Sequence, residues 1–417
     1  MGTAEVSLAE IYDPMSPDQL ADPYQVYKLA REREPIFLSN KVLRDAGVWV
    51  LTRYDDIAAV GGDDELFSSR DALRPLVPIY PATYEVLGRG YPLGQTTVEV
   101  DGPRHRRTSV PLKQVLSPRT AVLQEEFISS TVERLIDEMT AGGRREADIA
   151  GQFAHELPFR VINHLYGVPE SDHDQIREWC DGWMRFLSTD LSPEAQVQAV
   201  QGMENYFYYV ADLVRERRRH PREDDLVTLF AQHHEPGFEP LSEAELVNNL
   251  GGILLAGHVT TRTLIGNAVQ ILLARRGYWD DIIASPEHIP AIINEVLRYR
   301  TPTKAFFRTA TRDTVLNGVK IAEGELLQLL FGSANHDEAK WRNPEVFDPW
   351  ADRQGIKLMS FGYGPHYCVG ASLACTEARI ALEILSRRLP GLRLADQEYR
   401  YLGMVIIHGF ERLMVEW

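Results

Sequence analysis

The stretch Phe361-Gly362-Tyr363-Gly364-Pro365-His366-Tyr367-Cys368-Val369-Gly370 runs straight into Ala371-Ser372-Leu373-Ala374-Cys375-Thr376-Glu377-Ala378-Arg379-Ile380-Ala381-Leu382. The second half has helical periodicity, so Cys368 stands in a glycine-rich loop at the mouth of a helix N-terminus. The orphan amides and the dipole there favour a thiolate over a thiol. Gly362, Gly364 and Gly370 remove side chains, so backbone can approach something large and flat. An anionic metal ligand, held by amides that tune its charge, is what a thiolate-ligated haem iron needs. A lone cysteine is more often a small core residue. Cys375, inside the helix and without such a loop, takes that reading.

Phe361, Gly362, Gly364, His366, Cys368 and Gly370 fill every defined position of Phe-Gly-x-Gly-x-His-x-Cys-x-Gly. The loop resembles the haem-binding signature of the cytochrome P-450 superfamily. That resemblance implies a mainly α fold with a small β-rich lobe, a helical prism around haem b. It implies one domain over residues 1–417, with Cys368 as the axial ligand to the iron.

The chain has 417 residues, 44% of them hydrophobic, and no Ser/Gly-rich linker or repeat divides it. Sixty acidic against 44 basic residues give a formal charge of −16, which disfavours nucleic-acid and anionic-membrane binding. Three cysteines imply no disulfide framework. The N-terminus is acidic and lacks an apolar run, and the apolar stretch Leu250 to Leu255 is too short to span a bilayer. A soluble, cytoplasmic, monomeric protein is expected, similar to the soluble bacterial branch of the superfamily.

In chain order, helices are expected over Gln25–Glu34, Tyr54–Val60, Val122–Met139, Phe153–Leu165 and Ala195–Arg219, with a strand at Val48–Thr52. Residues 70–98, rich in Pro, Gly and Tyr, read as loop. The run Tyr206-Phe207-Tyr208-Tyr209 reads first as core packing. Short hairpins are expected around Asn317-Gly318 and Glu323-Gly324, and C-terminal strands at Met404–Ile407 and Leu413–Val415.

Four further segments match the superfamily. A long helix over residues 242–275 starts at a Ser242/Glu245 capping box and carries Ala256-Gly257-His258-Val259-Thr260-Thr261. This resembles the oxygen-binding Ala-Gly-x-Asp/Glu-Thr-Thr, with Val259 in the acid's place. Thr260 and Thr261 can bond back to the carbonyls of Ala256 and Gly257. The resemblance places Thr260 over the iron and makes His258 and Thr261 neighbours of the proton route. Glu295-Val296-Leu297-Arg298 matches Glu-x-x-Arg, but Val346 stands where a third, arginine partner is expected. Arg308 matches a propionate ligand. His105 and Arg107 match the pattern His followed by Arg two residues later, while Ser109 replaces a second arginine. His105, Arg107, Arg308 and His366 are therefore expected around the propionates. The turn His408-Gly409-Phe410 is expected to reach the pocket.

The resemblance implies a monooxygenase that inserts one atom of O2 into a C–H bond or alkene of a small apolar or amphipathic molecule, by analogy a bacterial secondary metabolite. Electrons would come from NAD(P)H through a ferredoxin reductase and an acidic ferredoxin, docked by the basic run Arg104, Arg106, Arg107, Lys113 and Arg119. Two other readings stay open: a haem-thiolate enzyme of unusual outcome (coupling, cyclisation or peroxide-driven), suggested by Val259, and a haem protein that only senses a small molecule.

Overall fold

The computed structural model describes residues 6–43, 46–189, 191–223, 225–233, 236–353 and 355–417. Its axis is one helix, Glu243–Ala274, about 48 Å long at 1.5 Å per residue. Its start is the capping box: the Ser242 hydroxyl accepts from the Glu245 amide at 3.3 Å, and the Glu245 carboxylate accepts from the Ser242 amide at 2.8 Å. Two orphan donors are thereby satisfied. The helix is apolar almost all round, and it packs against Pro193–Arg219, Glu156–Leu165, Ile289–Tyr299 and the cysteine helix Ala371–Arg388. An all-apolar helix has to be enclosed by other helices.

The β-rich lobe holds a five-stranded sheet in the order Ile36–Ser39, Val48–Leu51, Leu326–Leu329, Phe306–Ala310, Phe67–Ser68. Only the second and third of these run parallel. Arg308 pairs with Leu327 on one side, and its strand pairs with Phe67–Ser68 on the other, so Arg308 stands on a strand fixed from both sides. Asn317, at φ 48°, and Gly318, at φ 84°, turn the hairpin Thr314–Leu316/Val319–Ile321. Asn-Gly suits a turn with two left-handed residues.

Several boundaries differ from expectation. Val122–Met139 is two helices, Pro118–Leu123 and Glu125–Thr140, broken at Gln124. Phe153–Leu165 begins with a wider turn, Ala150–Ala154, before the helix Glu156–Leu165. The segment read as loop holds a short helix, Pro81–Leu87, started by its proline. Met404–Ile407 is not a strand. Ile407 makes a single bridge to Thr303, and the C-terminal strands are Arg400–Tyr401, Phe410–Arg412 and Met414–Glu416. Among the described residues no helix is long and apolar enough to cross a membrane.

Candidate active site

Cys368 sits three residues before the first residue of the helix Ala371–Arg388. Its amide donates to the Phe361 carbonyl at 2.9 Å, which closes the loop into a ring. Gly362 (φ +77°) and Gly364 (φ +74°) hold left-handed backbone that side chains resist. Gly364 has a second reason: a Cβ there would lie 2.3 Å from the Gly61 carbonyl oxygen, on the helix Tyr54–Gly62. A Cβ at Gly370 would meet only the Cys368 sulfur, at 3.9 Å. Gly362 and Gly364 thus set the loop geometry, and Gly364 its packing on the helix Tyr54–Gly62.

Burial pushes the Cys368 thiol up, against hydrogen bonds from the Gly370 and Ala371 amides that pull it down. The amides point at sulfur as expected, but on their own they do not make a thiolate. Ionisation is left to a bound cation, because metal ligation and thiol deprotonation are coupled. Cys368 lies deep in the protein yet is exposed as a residue, so it borders open space inside the fold. Cys375, half-buried, is pushed up to about 11 by burial and by Cys368 beside it, and has no glycine-rich loop around it.

The middle of the central helix has one open stripe. Ala256 is exposed, and Gly252 and Thr260, four residues either side, are half-buried, within a helix that is otherwise largely enclosed. Residues four apart share a face. Thr260 Oγ1 donates to the Ala256 carbonyl at 2.8 Å. The second such bond is made by Thr263 to Val259 at 2.8 Å, not by Thr261, which is buried. His258 is fully buried on the opposite side, its ring 4.3 Å from that of His155 and 5.4 Å from that of Phe159. Two residues make about 200° on a helix, so His258 faces away from the Thr260 hydroxyl and is no partner for it. Packing requires one glycine of this helix, Gly251, whereas Gly257 has room for a side-chain carbon at ordinary contact distance. A Cβ at Gly251 would lie 2.8 Å from the Phe207 ring, and one at Gly257 would touch Ile162 at 3.8 Å. Tyr206 and Phe207 are core, and the Tyr206 hydroxyl donates to the Gly251 carbonyl at 3.4 Å.

Val259 is 6% exposed and packs on Met404 and Ile407, with Met184 alongside. The C-terminal turn therefore reaches the central helix through Met404 and Ile407. His408 points elsewhere: it is buried, with Nε2 3.2 Å from the Ala21 carbonyl, while Asn267 holds its own carbonyl at 2.9 Å. Sequence reasoning missed Met404 and Ile407 because an apolar pair in a loop carries no motif.

Polar groups gather on the other side of the cysteine loop. His366 Nε2 is 3.0 Å from Ser69 Oγ and 3.3 Å from Asp101 Oδ1, and its ring lies 4.2 Å from that of His105. Burial opposes the Asp101 charge, but hydrogen bonds from His366, Ser68 and Ser69 win and hold its carboxyl below the usual range. Burial, with His366 and Lys113 nearby, pushes the His105 imidazolium down to about 4, so the ring is neutral at pH 7. Arg308 is buried, which lowers it to about 10 and leaves it charged. Among the described residues its only hydrogen-bond partner is the Phe307 carbonyl, at 2.7 Å. A buried guanidinium with spare donors suits a carboxylate. Arg107 is a correction: it pairs with Glu245 and donates to the carbonyls of Glu239 at 2.9 Å and Pro240 at 2.8 Å. It locks the start of the central helix, and four of its five N–H donors are spent there and not on a propionate. Asp101, which the sequence did not single out, orients His366 in its stead.

Glu295 and Arg298 form a buried pair, with bonds of 2.7 and 2.9 Å. Arg353 binds the Glu295 Oε2 that also accepts from Arg298 Nε, so the third cation comes from Arg353 and not from position 346. Val346 still takes part, because its carbonyl accepts from Arg298 at 2.9 Å, as those of Pro344 and Asn335 do at 2.7 and 3.1 Å. Its side chain is exposed and contributes nothing, which is why the sequence pattern could lapse there.

The profile of the family described as cytochrome P450 matches residues 279–389. The biotin biosynthesis cytochrome P450 of Bacillus subtilis (strain 168) is 32% identical over 96% of this chain and 97% of its own. The mycinamicin IV hydroxylase/epoxidase of Micromonospora griseorubida is 33% identical, over 94% of each chain. The haem domain of Tepidiphilus thermophilus P450 superposes with a TM-score of 0.90 at 31% identity, covering 98% of this chain and 97% of that one. Members of this family carry haem on a cysteine thiolate, use redox partners, and act as monooxygenases. The residues present fit that group: a deeply placed yet exposed Cys368, an open face of Gly252, Ala256 and Thr260, and Arg308 and His105 with unused donors. Sequence similarity over almost the whole length and a shared fold make this chain a cytochrome P-450 of the bacterial type.

Proposed function

We propose that this chain is a tailoring hydroxylase or epoxidase of a small apolar or amphipathic secondary metabolite, with Cys368 as the axial ligand. The exposure of Cys368 deep in the fold, ringed by its own loop, is the observation that carries the ligand assignment. The substrate class rests on relatives such as the mycinamicin IV hydroxylase/epoxidase and the erythromycin C-12 hydroxylase of Saccharopolyspora erythraea, 30% identical over 90% of each chain. Haem on a thiolate supplies dioxygen activation, with one oxygen atom passing to substrate and the other to water.

The residues of this chain provide the surroundings. Arg308 and neutral His105 would hold propionate oxygens, and His366, fixed by Asp101 and Ser69, would add a third contact. The Glu295–Arg298–Arg353 group holds rigid the segment that leads into the loop. Thr260 would hold a water or substrate hydroxyl at its Oγ1 and pass a proton there. Val259 cannot, and its place against Met404 and Ile407 is dry. Arg104, Lys113 and Arg119 are exposed on and beside the helix Gly102–Val115, which favours an acidic ferredoxin as donor. We read the chain as one haem-binding domain.

Turnover under heavy-isotope oxygen gas with NAD(P)H, ferredoxin and ferredoxin reductase, across a panel of macrolide-type and lipid substrates, tests this reading. One labelled oxygen per product is expected. Products that are coupled or cyclised without label would replace the hydroxylase with the unusual-outcome reading, and spectral binding without any turnover would support a sensor.

A further inference from the structure

Beneath the helix His173–Ser188, three ligand-type side chains from three elements converge. His155 precedes the helix Glu156–Leu165, Asp181 lies on His173–Ser188, and His258 lies on the central helix. One ring nitrogen of each histidine and one carboxylate oxygen all lie within 4.8 Å of one another. His155 Nε2 is already 3.5 Å from Asp181 Oδ1. Ligand atoms at about 2.0–2.2 Å from a tetrahedral ion stand roughly 3.3–3.6 Å apart, so the third needs to move inward by only about 1 Å.

A second observation points to a ligand. His258 is fully buried, and neither of its ring nitrogens has a hydrogen-bond partner. A buried polar group left unpaired is costly, and most find a partner. The other face of His155 is arranged like a ligand's outer support: its Nδ1 is 3.7 Å from the Glu156 carboxylate, which leaves Nε2 for the site. Ligating histidines commonly lean on a carboxylate in this way. Asp181 is 46% exposed, so the site has an entrance.

We propose that His155, Asp181 and His258 bind one divalent transition-metal ion of the zinc class, which clips the helix His173–Ser188 to the central helix. Imidazole and carboxylate together select Zn2+, Ni2+ or Co2+ over Ca2+ or Mg2+. The clip joins the two helices beside a contact the fold already makes. Met184, three residues after Asp181, packs against the cluster of Val259, next to His258. Two cations lie nearby. Arg177 is balanced by Glu156 and Asp174. Arg262 donates to the Glu411 carbonyl at 3.1 Å and carries a buried Nε without a partner, so it opposes the ion.

The test is calorimetric titration of chelator-washed, haem-loaded protein with zinc chloride. One strong site is expected in the wild type, weakened at least tenfold in Asp181→Asn and in His155→Gln, and strengthened in Arg262→Gln. Asp181→Asn changes a half-exposed carboxylate and should fold even if His155→Gln does not, as an unchanged reduced-CO spectrum would show. Zinc should also slow amide exchange across His173–Ser188 in the wild type and not in Asp181→Asn. Equal zinc affinity in wild type and Asp181→Asn would overturn the site, and zinc binding without protection of that helix would overturn the clip.

Discussion

The cysteine loop and the middle of the central helix both carry open surface inside the fold, but they are built differently. The loop is specified by its own backbone: a ring closed from the Cys368 amide to the Phe361 carbonyl, and two left-handed glycines. Few other sequences satisfy those demands, so the loop reads residue by residue. The helix is specified by what packs on it. Position 259 is occupied by valine because Met404 and Ile407 lie against it, and nothing within the helix announces that. Local constraint leaves a motif, whereas tertiary constraint leaves only an apolar residue.

The strongest way to break the comparison is at the loop itself. Cys368→Ser should abolish the red-shifted Soret band of the reduced carbon monoxide complex, and Cys375→Ser should leave it intact. A thiolate-type band that survives in Cys368→Ser would show that the loop signature does not carry the ligand.

The group supporting the loop comes next. Glu295 answers two arginines, Arg298 and Arg353, with little water near. Glu295→Gln strands buried Arg298 and half-buried Arg353, and breaking a buried pair typically costs about 3–5 kcal/mol. Denaturant midpoints and haem retention measure this, and both should fall. Arg353→Met should show a smaller loss, because Arg298 keeps its carbonyl partners. If Arg353→Met is neutral, the third cation of the pattern is dispensable here.

How much was legible follows the same division. The fold, the loop, the Glu-x-x-Arg pair and the capping box were readable because each is a short pattern with a backbone or ion-pair reason. Arg107 was misplaced because an arginine two residues after His105 fits two sinks, a propionate or the Glu245 carboxylate. Sequence spacing does not say which is nearer. Arg353 was invisible for a related reason: its partner Glu295 lies 58 residues away, in a stretch without periodicity. Gly251 of the central helix is likewise set by a distant partner, because the Phe207 ring fills the space a side chain would need.

On the oxygen side, Thr260→Ala should raise the hydrogen peroxide released per NAD(P)H consumed, roughly tenfold if the hydroxyl positions the proton donor. Val259→Glu should not repair that loss. A carboxyl there meets Met404 and Ile407, not water, so burial should cost about 2–4 kcal/mol of stability. Unchanged coupling in Thr260→Ala would mean that protons reach the site by another path. A stable Val259→Glu with better coupling would show that the C-terminal turn yields to a charge.

The smallest effect lies on the outer wall of the cysteine side. Arg104, Lys113 and Arg119 are exposed on and just past the helix whose inner face holds His105. Exposed charges add little to affinity but steer encounter. Lys113→Glu should therefore slow reduction by an acidic ferredoxin about two- to tenfold at low salt. The difference from wild type should fade near 0.15 M ionic strength, where the Debye length is about 8 Å. The reduced-CO spectrum should not change, because Lys113 touches only the outside of that wall. A salt-independent loss would place the effect on His105, whose imidazolium Lys113 helps to suppress, and not on docking. Stopped-flow reduction at several salt concentrations separates the two: steering changes the second-order rate alone, while a disturbed His105 shifts the spectrum of the resting protein as well.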